Sequence, residues 1–456
     1  MLDHHPHSTA ASSALVSTTR DAIQHAQRPR RSRRHHRRHT PSTRTRPTGR
    51  TRSRGALVGR IARGALLAAV LILALFLLLG QLLALLPVSW WSPFLNVLPI
   101  EIPLLVVAIA RDALGSWTVV LAALALVAGV FALRRRGRRR LALALSGISG
   151  TALLPALATT TVQVISVHGA TGQWFLFSPA TPASAVGRDP DRTVTYATLG
   201  GEQMKADLYL PEAASATAVP LVVSIHGGGF ISGSRGPTVY TRWLADQGYA
   251  VLDVDYRLAT ASEHTWNTAD ADVGCALTWA TAHAAEFGWD MDRVATFGGS
   301  AGGNLAINVA YKANAATLTP SCGNADQLSQ VKAAIASYPA VDLSASAGDS
   351  AFGKESGDWY VGGDPAHYPE RYEAVDSANQ ISRDAPPTLI VQGSRDHLVF
   401  ADHTEGFADK LTTAGVTHSY VELPFMDHAY DSVSADIGTK ATRALTLPWL
   451  QEYVGG

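Results

Sequence analysis

Two hydrophobic patterns divide the chain. Before about residue 168 the apolar residues form long runs, whereas after about residue 190 short apolar stretches alternate with helical patterns. Short buried strands separated by helices are typical of a mainly parallel sheet that helices cover on both faces. The sequence therefore predicts an α/β fold for residues 191–456, joined by a connector over 169–190 to a region of another kind.

The alternating part predicts specific elements, beginning with a hairpin that turns at Gly200–Gly201. Six strands are expected in PLVVSIHG, YAVLDVDY, RVATFGG, VKAAIASYP, PPTLIVQGS and HSYVELPF, with helices across 268–287, from Ala301, in HTEGFADKLTTAG and up to about Tyr453. In open parallel sheets the chemistry collects at the carboxyl ends of the strands. Candidate functional residues are therefore sought directly after each strand.

The long apolar runs predict transmembrane helices. Residues 64–86 carry no charge and are long enough to cross the hydrocarbon layer. A second run spans 116–133, and a third, over 141–167, is diluted by Ser, Thr and Gly but is still long enough to cross. Residues 56–168 are therefore predicted to form a transmembrane region of about three helices.

Basic residues are concentrated at the start of the chain. Of the 38 Lys and Arg residues, 22 precede residue 141, together with only 4 of the 37 acidic residues. The Arg-rich residues 1–55 are almost free of large apolar side chains and are predicted to be disordered. Because an apolar run follows, anionic lipid and an orientation signal explain these arginines better than nucleic acid does. No nucleic-acid partner is expected.

The arginines also predict the orientation. The positive-inside rule puts the N-terminal tail and the RRRGRRR run (134–140) in the cytoplasm, so three spans deliver the C-terminal domain to the outer side. With two spans that domain would be cytoplasmic instead. Between the first two runs, VLPIEIPLLVVAIARD is apolar but short and broken by prolines, which favours a re-entrant or interfacial piece.

The chain has two cysteines, Cys275 in a helical pattern and Cys322 in a predicted loop. In an oxidising outer compartment they can pair, and otherwise they are two unrelated thiols. The sequence leaves both alternatives open. Neither cysteine has the spacing of a metal site.

The stretch ATFGGSAGGNLA (295–306) surrounds Ser300 with small residues. It joins a predicted strand to a predicted helix, and Gly298 and Gly302 occupy the flanking positions of the G-x-S-x-G pattern. A nucleophile on a tight strand-to-helix turn needs small neighbours because the backbone there is strained and crowded. Ser300 is therefore the candidate nucleophile, although the same pattern also occurs in ordinary tight turns.

The stretch SIHGGGFISG follows a predicted buried strand. Its glycines allow main-chain N–H groups to face a substrate, and such donors stabilise a developing oxyanion. Gly228, Gly229 and the N–H of Ala301 are predicted to form this oxyanion hole. His226 and Gly227 are assigned a structural role in the loop.

A serine nucleophile needs a general base and a carboxylate that orients the base. In folds with a G-x-S-x-G turn between strand and helix, the order along the chain is serine, acid, histidine. Asp396 follows the strand PTLIVQG and His428 follows the strand YVELPF. The sequence thus predicts a catalytic triad of Ser300, His428 and Asp396.

Four other residues are rivals that fit these roles less well. Asp402 and His403 open a helical pattern, where a solvated capping role is the simpler interpretation. His397 is adjacent in sequence to Asp396, so a pocket or surface position is expected for it. The second rival acid is Asp427.

These motifs together resemble the α/β-hydrolase fold, and more narrowly the hormone-sensitive-lipase-like and related carboxylesterase branch. The resemblance covers about residues 190–455 and includes HGGGF, DYRLA, GGSAGG, GSRDHLV and DHAYD in the expected order. It implies hydrolysis of carboxylic esters through an acyl-enzyme, with no metal or organic cofactor. The expected substrate is a small-molecule or lipid-like ester.

The N-terminal cap helices of many such relatives have no obvious counterpart, so either the membrane region or residues 342–377 are expected to cover the site. Two alternative functions remain open. The same triad serves an acyltransferase or deacetylase that acts on cell-envelope glycans or lipids, because only the second nucleophile differs. A degenerate hydrolase domain would instead make the protein a membrane scaffold.

Overall fold

The computed structural model describes most of the chain, namely residues 50–95, 100–134, 139–177, 188–212, 218–432 and 436–455. The contacts group residues Gly59–Gly456 into one compact unit. Most of the predicted disordered tail lies outside the described residues, as do the centre of the second basic run and part of the predicted connector. A helix begins at Arg50, so the last predicted tail residues are helical.

In the described residues, five α-helices precede the sheet: α1 (Arg50–Leu85), α2 (Val88–Trp91), α3 (Glu101–Leu114), α4 (Trp117–Leu133) and α5 (Arg139–Thr171). Helices α1 and α5 are long and apolar enough to cross a membrane, and α3 and α4 make a third span if the pair counts as one. The axes of α3 and α4 differ in direction by 95°. The proline-broken piece is therefore a helix that meets α4 at a sharp bend.

The three long apolar helices pack against one another, partly through small residues. Ala74 of α1, Ala125 of α4 and Leu145 of α5 are buried in one cluster. A Cβ at Gly129 would lie 2.6 Å from the Ser146 hydroxyl oxygen, so only glycine allows α4 to approach α5 this closely. Small residues at such contacts bring helix backbones together, as in membrane proteins.

The described residues after α5 contain one eight-stranded sheet. The strands are β1 (Arg192–Leu199), β2 (Glu202–Tyr209), β3 (Val219–Ile225), β4 (Ala250–Val254), β5 (Trp289–Gly299), β6 (Ala333–Ser337), β7 (Thr388–Gly393) and β8 (His418–Leu423). Their order is β1-β2-β4-β3-β5-β6-β7-β8. The β1–β2 hairpin and the β2–β4 pair are antiparallel, and the other pairs are parallel. The predicted hairpin and the mainly parallel sheet are confirmed.

Eight α-helices accompany the sheet in the part of the chain that the structure describes: α6 (Thr241–Asp246), α7 (Ala269–Phe287), α8 (Ala301–Asn314), α9 (Leu343–Asp349), α10 (Ala351–Val361), α11 (Pro369–Val375), α12 (Ala401–Ala414) and α13 (Ile437–Tyr453). Successive side chains of β3 alternate between two apolar clusters, as the pleat of a strand requires. Leu221 and Val223 pack with α7, α8 and α12 on one face, whereas Val222 packs with α6 and α13 on the other. Helices therefore cover both faces, as predicted.

Cys275 of α7 and Cys322 form a disulfide bond that closes a separation of 47 residues. Of the two alternatives that the sequence left open, the structure contains the bonded one. The bond ties α7 to the loop that leads towards β6.

Replacing Cys322 by serine is expected to lower the free energy of unfolding by about 2–4 kcal/mol, because the unfolded chain is then no longer cross-linked. The measurement is thermal unfolding of both proteins with and without dithiothreitol. The reductant should lower the Tm of the wild type and leave that of Cys322→Ser unchanged. An equal shift in both proteins would contradict this account of the bond.

Candidate active site

Ser300 lies at the turn between β5 and α8. Its backbone has φ 57° and ψ −125°, a strained conformation for a residue with a side chain. Strand β6 holds this turn in place, because the Ser300 N–H donates to the carbonyl of Ser337, the last residue of β6, at 3.0 Å. The serine therefore stands just before the N-terminus of α8, where unpaired N–H groups favour an anion.

The flanking glycines of the turn are required by close backbone contacts. A Cβ at Gly298 would lie 2.2 Å from the Gly302 carbonyl oxygen. A Cβ at Gly302 would lie 2.2 Å from the Ile225 carbonyl oxygen at the end of β3. Side chains at these positions would push the turn away from the neighbouring strand, which explains the small residues around the serine.

Three of the predicted site residues come together at the carboxyl edge of the sheet. His428 Nε2 lies 2.9 Å from Ser300 Oγ, and His428 Nδ1 lies 2.8 Å from Asp396 Oδ2. Asp396 is buried, and its other oxygen accepts the N–H groups of Leu398 and Val399 at 3.0 and 2.8 Å. The carboxylate is thus fixed by its own loop and faces the imidazole.

The glycine loop after β3 lies beside the serine. Gly228 and Gly229 have φ values of 118° and 62°, which favour glycine, and both line the cavity that contains Ser300. The His226 Nδ1 donates to the Gly227 carbonyl at 2.8 Å, and its ring stacks on Tyr256 with centroids 4.3 Å apart. Burial lowers the pKa of His226. These contacts agree with a structural role for this histidine.

Ala301, the third predicted oxyanion residue, is the first residue of α8. It lines a small recess together with Gly229, Ser300 and His428. The residues predicted to supply the main-chain donors thus surround the hydroxyl from the glycine loop and from the helix. Their assignment as an oxyanion hole remains a prediction.

Two of the rival residues form a separate buried pair. His397 Nδ1 donates to Asp427 Oδ1 at 2.7 Å, and both side chains are inaccessible to solvent. Burial alone would lower the pKa of His397, but the Asp427 charge outweighs it and raises that pKa. Burial opposes ionisation of Asp427, yet His397 holds its pKa below the ordinary value. The expected pocket or surface position of His397 is therefore wrong, since the residue is a buried ion-pair partner.

The pair predicts a pH dependence of stability. Because the pKa of His397 is raised on folding, its stabilisation of the folded state is complete below pH 6.5 and is lost as the pH rises through the folded-state pKa. Because the pKa of Asp427 is lowered on folding, its stabilisation of the folded state is present above pH 3.8. Stability from the pair should therefore fall above pH 6.5, by at most about 1.4 kcal/mol per pH unit. Asp427→Asn should flatten this decline in unfolding measured from pH 6 to 9. The exposed Asp402→Asn should retain it, and equal slopes in all three proteins would contradict the pairing.

The other two rivals lie at the start of α12. The Asp402 side chain is exposed, and His403 Nε2 lies 3.3 Å from Asp349 Oδ2. Neither therefore belongs to the Ser300 cluster. Within the described part of the chain, no group of three or more His, Cys, Asp or Glu side chains has the arrangement of a metal site.

Sequence reasoning missed two residues that hold the cluster. Gln392, at the end of β7, donates to Asp396 Oδ2 at 3.1 Å. Tyr338, directly after β6, packs its ring edge-on against His428 with centroids 4.7 Å apart, and its hydroxyl donates to the buried Asp431. A signal existed for Tyr338, because it follows a strand, as the predicted acid and histidine do.

Two regions cover the site. A cavity of about 420 Å³ beside Ser300 is lined by Leu105 of α3 and by Phe352 of α10. A recess of about 40 Å³ continues next to it, with Leu343 and Val399 among its apolar lining residues. The apolar N-terminal region (helices α1–α5) and the stretch 342–377 thus both contribute to the cover. The sequence analysis predicted that one or the other would cover the site.

Residues 206–411 match the BD-FAE family model. This range begins in β2 and ends within α12, so it contains the glycine loop, Ser300 and Asp396, while His428 follows it.

Curated relatives carry esterase names. The chain is 29% identical to esterase LipC of Mycobacterium tuberculosis over 218 residues (46% of this chain, 53% of LipC). It is 27% identical to esterase LipQ over 239 residues (51% and 55%), and 30% identical to carboxylesterase NlhH over 220 residues (46% and 66%), both of the same species. The chain spans about half the length of LipC and of LipQ.

A solved structure is also similar. The native Est2 esterase of Thermogutta terrifontis aligns with 57% of this chain and 91% of its own, with 23% sequence identity and a TM-score of 0.47.

Proposed function

We propose that the chain is a membrane-anchored serine hydrolase that cleaves carboxylic esters through an acyl-enzyme. The observation that carries the proposal is the continuous hydrogen-bonded line from Ser300 Oγ through His428 to Asp396, on a strained turn. The α/β-hydrolase resemblance of the sequence motifs and the esterase names of the relatives support the same chemistry.

The mechanism follows from the two hydrogen bonds. His428 Nε2 takes the proton of the Ser300 hydroxyl as its oxygen attacks the ester carbonyl. The carbonyl oxygen becomes an oxyanion, for which the N–H groups of Gly228, Gly229 and Ala301 are the proposed donors. The imidazolium gives the proton to the leaving alcohol, and Asp396 stabilises its charge. Water, activated by His428 in the same way, then releases the acid and restores the serine.

The test uses the full chain in detergent micelles with p-nitrophenyl acetate and longer p-nitrophenyl esters. Release of p-nitrophenol, inhibited by a fluorophosphonate, is the expected result. If no ester in such a panel is turned over while the protein is folded, the proposed activity is wrong.

The membrane part of the proposal rests on the helices. Helices α1 and α5 have the length and apolar composition of spans, and α3 with α4 would provide a third. The C-terminal end of α1 and the C-terminal part of α5 both contact the catalytic domain, through the Ala84 carbonyl and through Val164 and Val167. An odd number of crossings with a cytoplasmic N-terminus puts that domain outside, and the Cys275–Cys322 bond favours the same side.

Protease treatment of intact cells tests this orientation. An outward-facing catalytic domain is expected to be accessible, so a tag at the C-terminus should be lost before lysis. A cytoplasmic marker protein serves as the control for intact cells. Protection of the tag until lysis would contradict the proposed topology.

One observation favours a second candidate, a deacetylase or acyltransferase for envelope glycans. Ser300 borders both the small apolar recess and the larger cavity, and the larger cavity has polar lining residues that include Ser224, Tyr240 and Asp431. An ester with a short acyl group and a bulky polar alcohol, such as an acetylated sugar, would fit two such compartments. Products formed from sugar acetates, with and without an added alcohol acceptor, distinguish hydrolysis from transfer.

A further inference from the structure

The apolar N-terminal region reaches the loops that carry the proposed catalytic residues. Asp112 of α3 lies next to the His428 loop, where its Oδ2 accepts the N–H of Asp427 at 3.1 Å. Asp112 and Asp427 are both buried, with 5% and 0% of their surfaces exposed. This bond joins residues that are 315 positions apart, so it connects two separate parts of the fold.

Asp427 then holds both loops of the proposed triad together. Its Oδ1 accepts the N–H of His428 at 2.7 Å, the N–H of His397 at 3.1 Å and the His397 Nδ1 at 2.7 Å. His428 is the proposed base, and His397 directly follows the proposed acid Asp396. One carboxylate thus fixes the separation of the two loops.

The N-terminal region also contacts the acid loop directly. His397 Nε2 lies 3.4 Å from the Glu101 carbonyl oxygen, and the Trp91 ring packs on the His397 ring with centroids 5.4 Å apart. A carbonyl only accepts hydrogen bonds, so a His397 ring protonated on both nitrogens would donate to the Glu101 carbonyl and to Asp427 at the same time. The Arg395 Nε donates to the Ala84 carbonyl at 3.0 Å.

An ion pair with Arg111 holds the Asp112 side chain in place. Arg111 donates to both of its oxygens, at 2.7 and 2.9 Å, and its Nη1 donates to the Gly80 carbonyl of α1 at 3.3 Å. A buried ion pair of this kind costs desolvation and contributes little net stability, so a role in fixing geometry is the better explanation.

We propose that Asp112 is a positioning residue of the esterase reaction, through which helix α3 holds the His428 loop in register with Ser300. This inference rests on the proposed function. It makes the apolar N-terminal region part of the active site as well as an anchor. Asp112 does not touch the reacting atoms and acts through the Asp427 main chain.

The test compares two double variants of the full chain that differ only at position 112, where one keeps an acceptor oxygen and the other does not. Arg111→Met with Asp112→Asn removes both charges but keeps a side-chain oxygen for the Asp427 N–H. Arg111→Met with Asp112→Leu removes the charges and the oxygen, with a side chain of nearly the same size. Removing both charges avoids leaving a buried arginine without its partner.

We expect kcat to be about tenfold lower for the double variant with Asp112→Leu than for the double variant with Asp112→Asn. The two KM values should agree within about twofold, because the loss of the oxygen displaces His428 but leaves the cavity unchanged. The rate constant for fluorophosphonate labelling of Ser300 should fall by the same factor. Equal kcat values in two variants of similar Tm would overturn the proposal. So would a difference confined to KM or Tm.

A second measurement needs no variant. Hydrogen exchange of the wild-type chain in micelles should find the Asp427 and His428 amides protected, since both donate to buried carboxylates. Rapid exchange at both amides would overturn the proposal even if the double variant with Asp112→Leu failed to fold. Hydrolysis that persists in Ser300→Ala would instead refute the proposed function, so the two failures are distinguishable.

Discussion

Replacing Ser300 by alanine is expected to lower kcat/KM on p-nitrophenyl acetate by about 10⁶-fold, the loss typical of a serine hydrolase without its nucleophile. The physical reason is that no other hydroxyl is bonded to His428 Nε2 in the described structure. The small side chain of alanine fits the strained turn, so the Tm should change little. The measurement is initial rates of the purified full chain in micelles.

The matched control is Ser329→Ala. The Ser329 hydroxyl is hydrogen-bonded to Thr281 of α7 at 2.8 Å, away from the cavity that contains Ser300. Its loss should leave kcat/KM unchanged. Turnover in Ser300→Ala within tenfold of the wild type would remove this residue from the mechanism.

Replacing Asp396 by asparagine is expected to lower kcat by about 10⁴-fold. Asparagine has nearly the same shape, but its amide nitrogen can donate to His428 Nδ1 and thereby favour the wrong tautomer of the imidazole. The bonds that Leu398 and Val399 donate to the other oxygen remain available, so the loop is expected to stay folded. The measurement is a kcat and KM determination with short acyl esters.

Asp402→Asn provides the control, because Asp402 is one of the two rival acids and is exposed at the start of α12. Its activity should match that of the wild type. Comparable losses in both variants would show that the effect comes from the general charge of the domain. Loss in Asp402→Asn alone would reverse the assignment of the acid.

Much of the site could be predicted because each candidate follows a strand. The apolar pattern of β5, β7 and β8 defines where the strands end, and Ser300, Asp396 and His428 follow those ends. Parallel neighbours bring such ends to one edge of the sheet, so residues distant in sequence meet there. Local pattern is enough for this kind of prediction.

The contacts between residues far apart in the sequence could not be predicted from local pattern. Nothing in the sequence around Asp112 indicates a bond to the Asp427 main chain, because the two positions lie in regions with different patterns. His397 was expected at a pocket or on the surface, since sequence position alone does not show that Asp427 and Trp91 enclose it. The helical residues just after Arg50 were missed for a different reason. Arginine favours helices intrinsically, whereas the prediction relied on apolar runs.

The most direct test of the central claim is to map the covalent adduct of a fluorophosphonate by tandem mass spectrometry. The full chain in micelles is labelled, digested and sequenced, with and without prior incubation with an ester substrate. The account predicts one adduct, on Ser300, that forms more slowly when substrate is present and that is absent from His428→Ala. An adduct on another residue, or ester hydrolysis that continues at full rate after Ser300 is labelled, would contradict it.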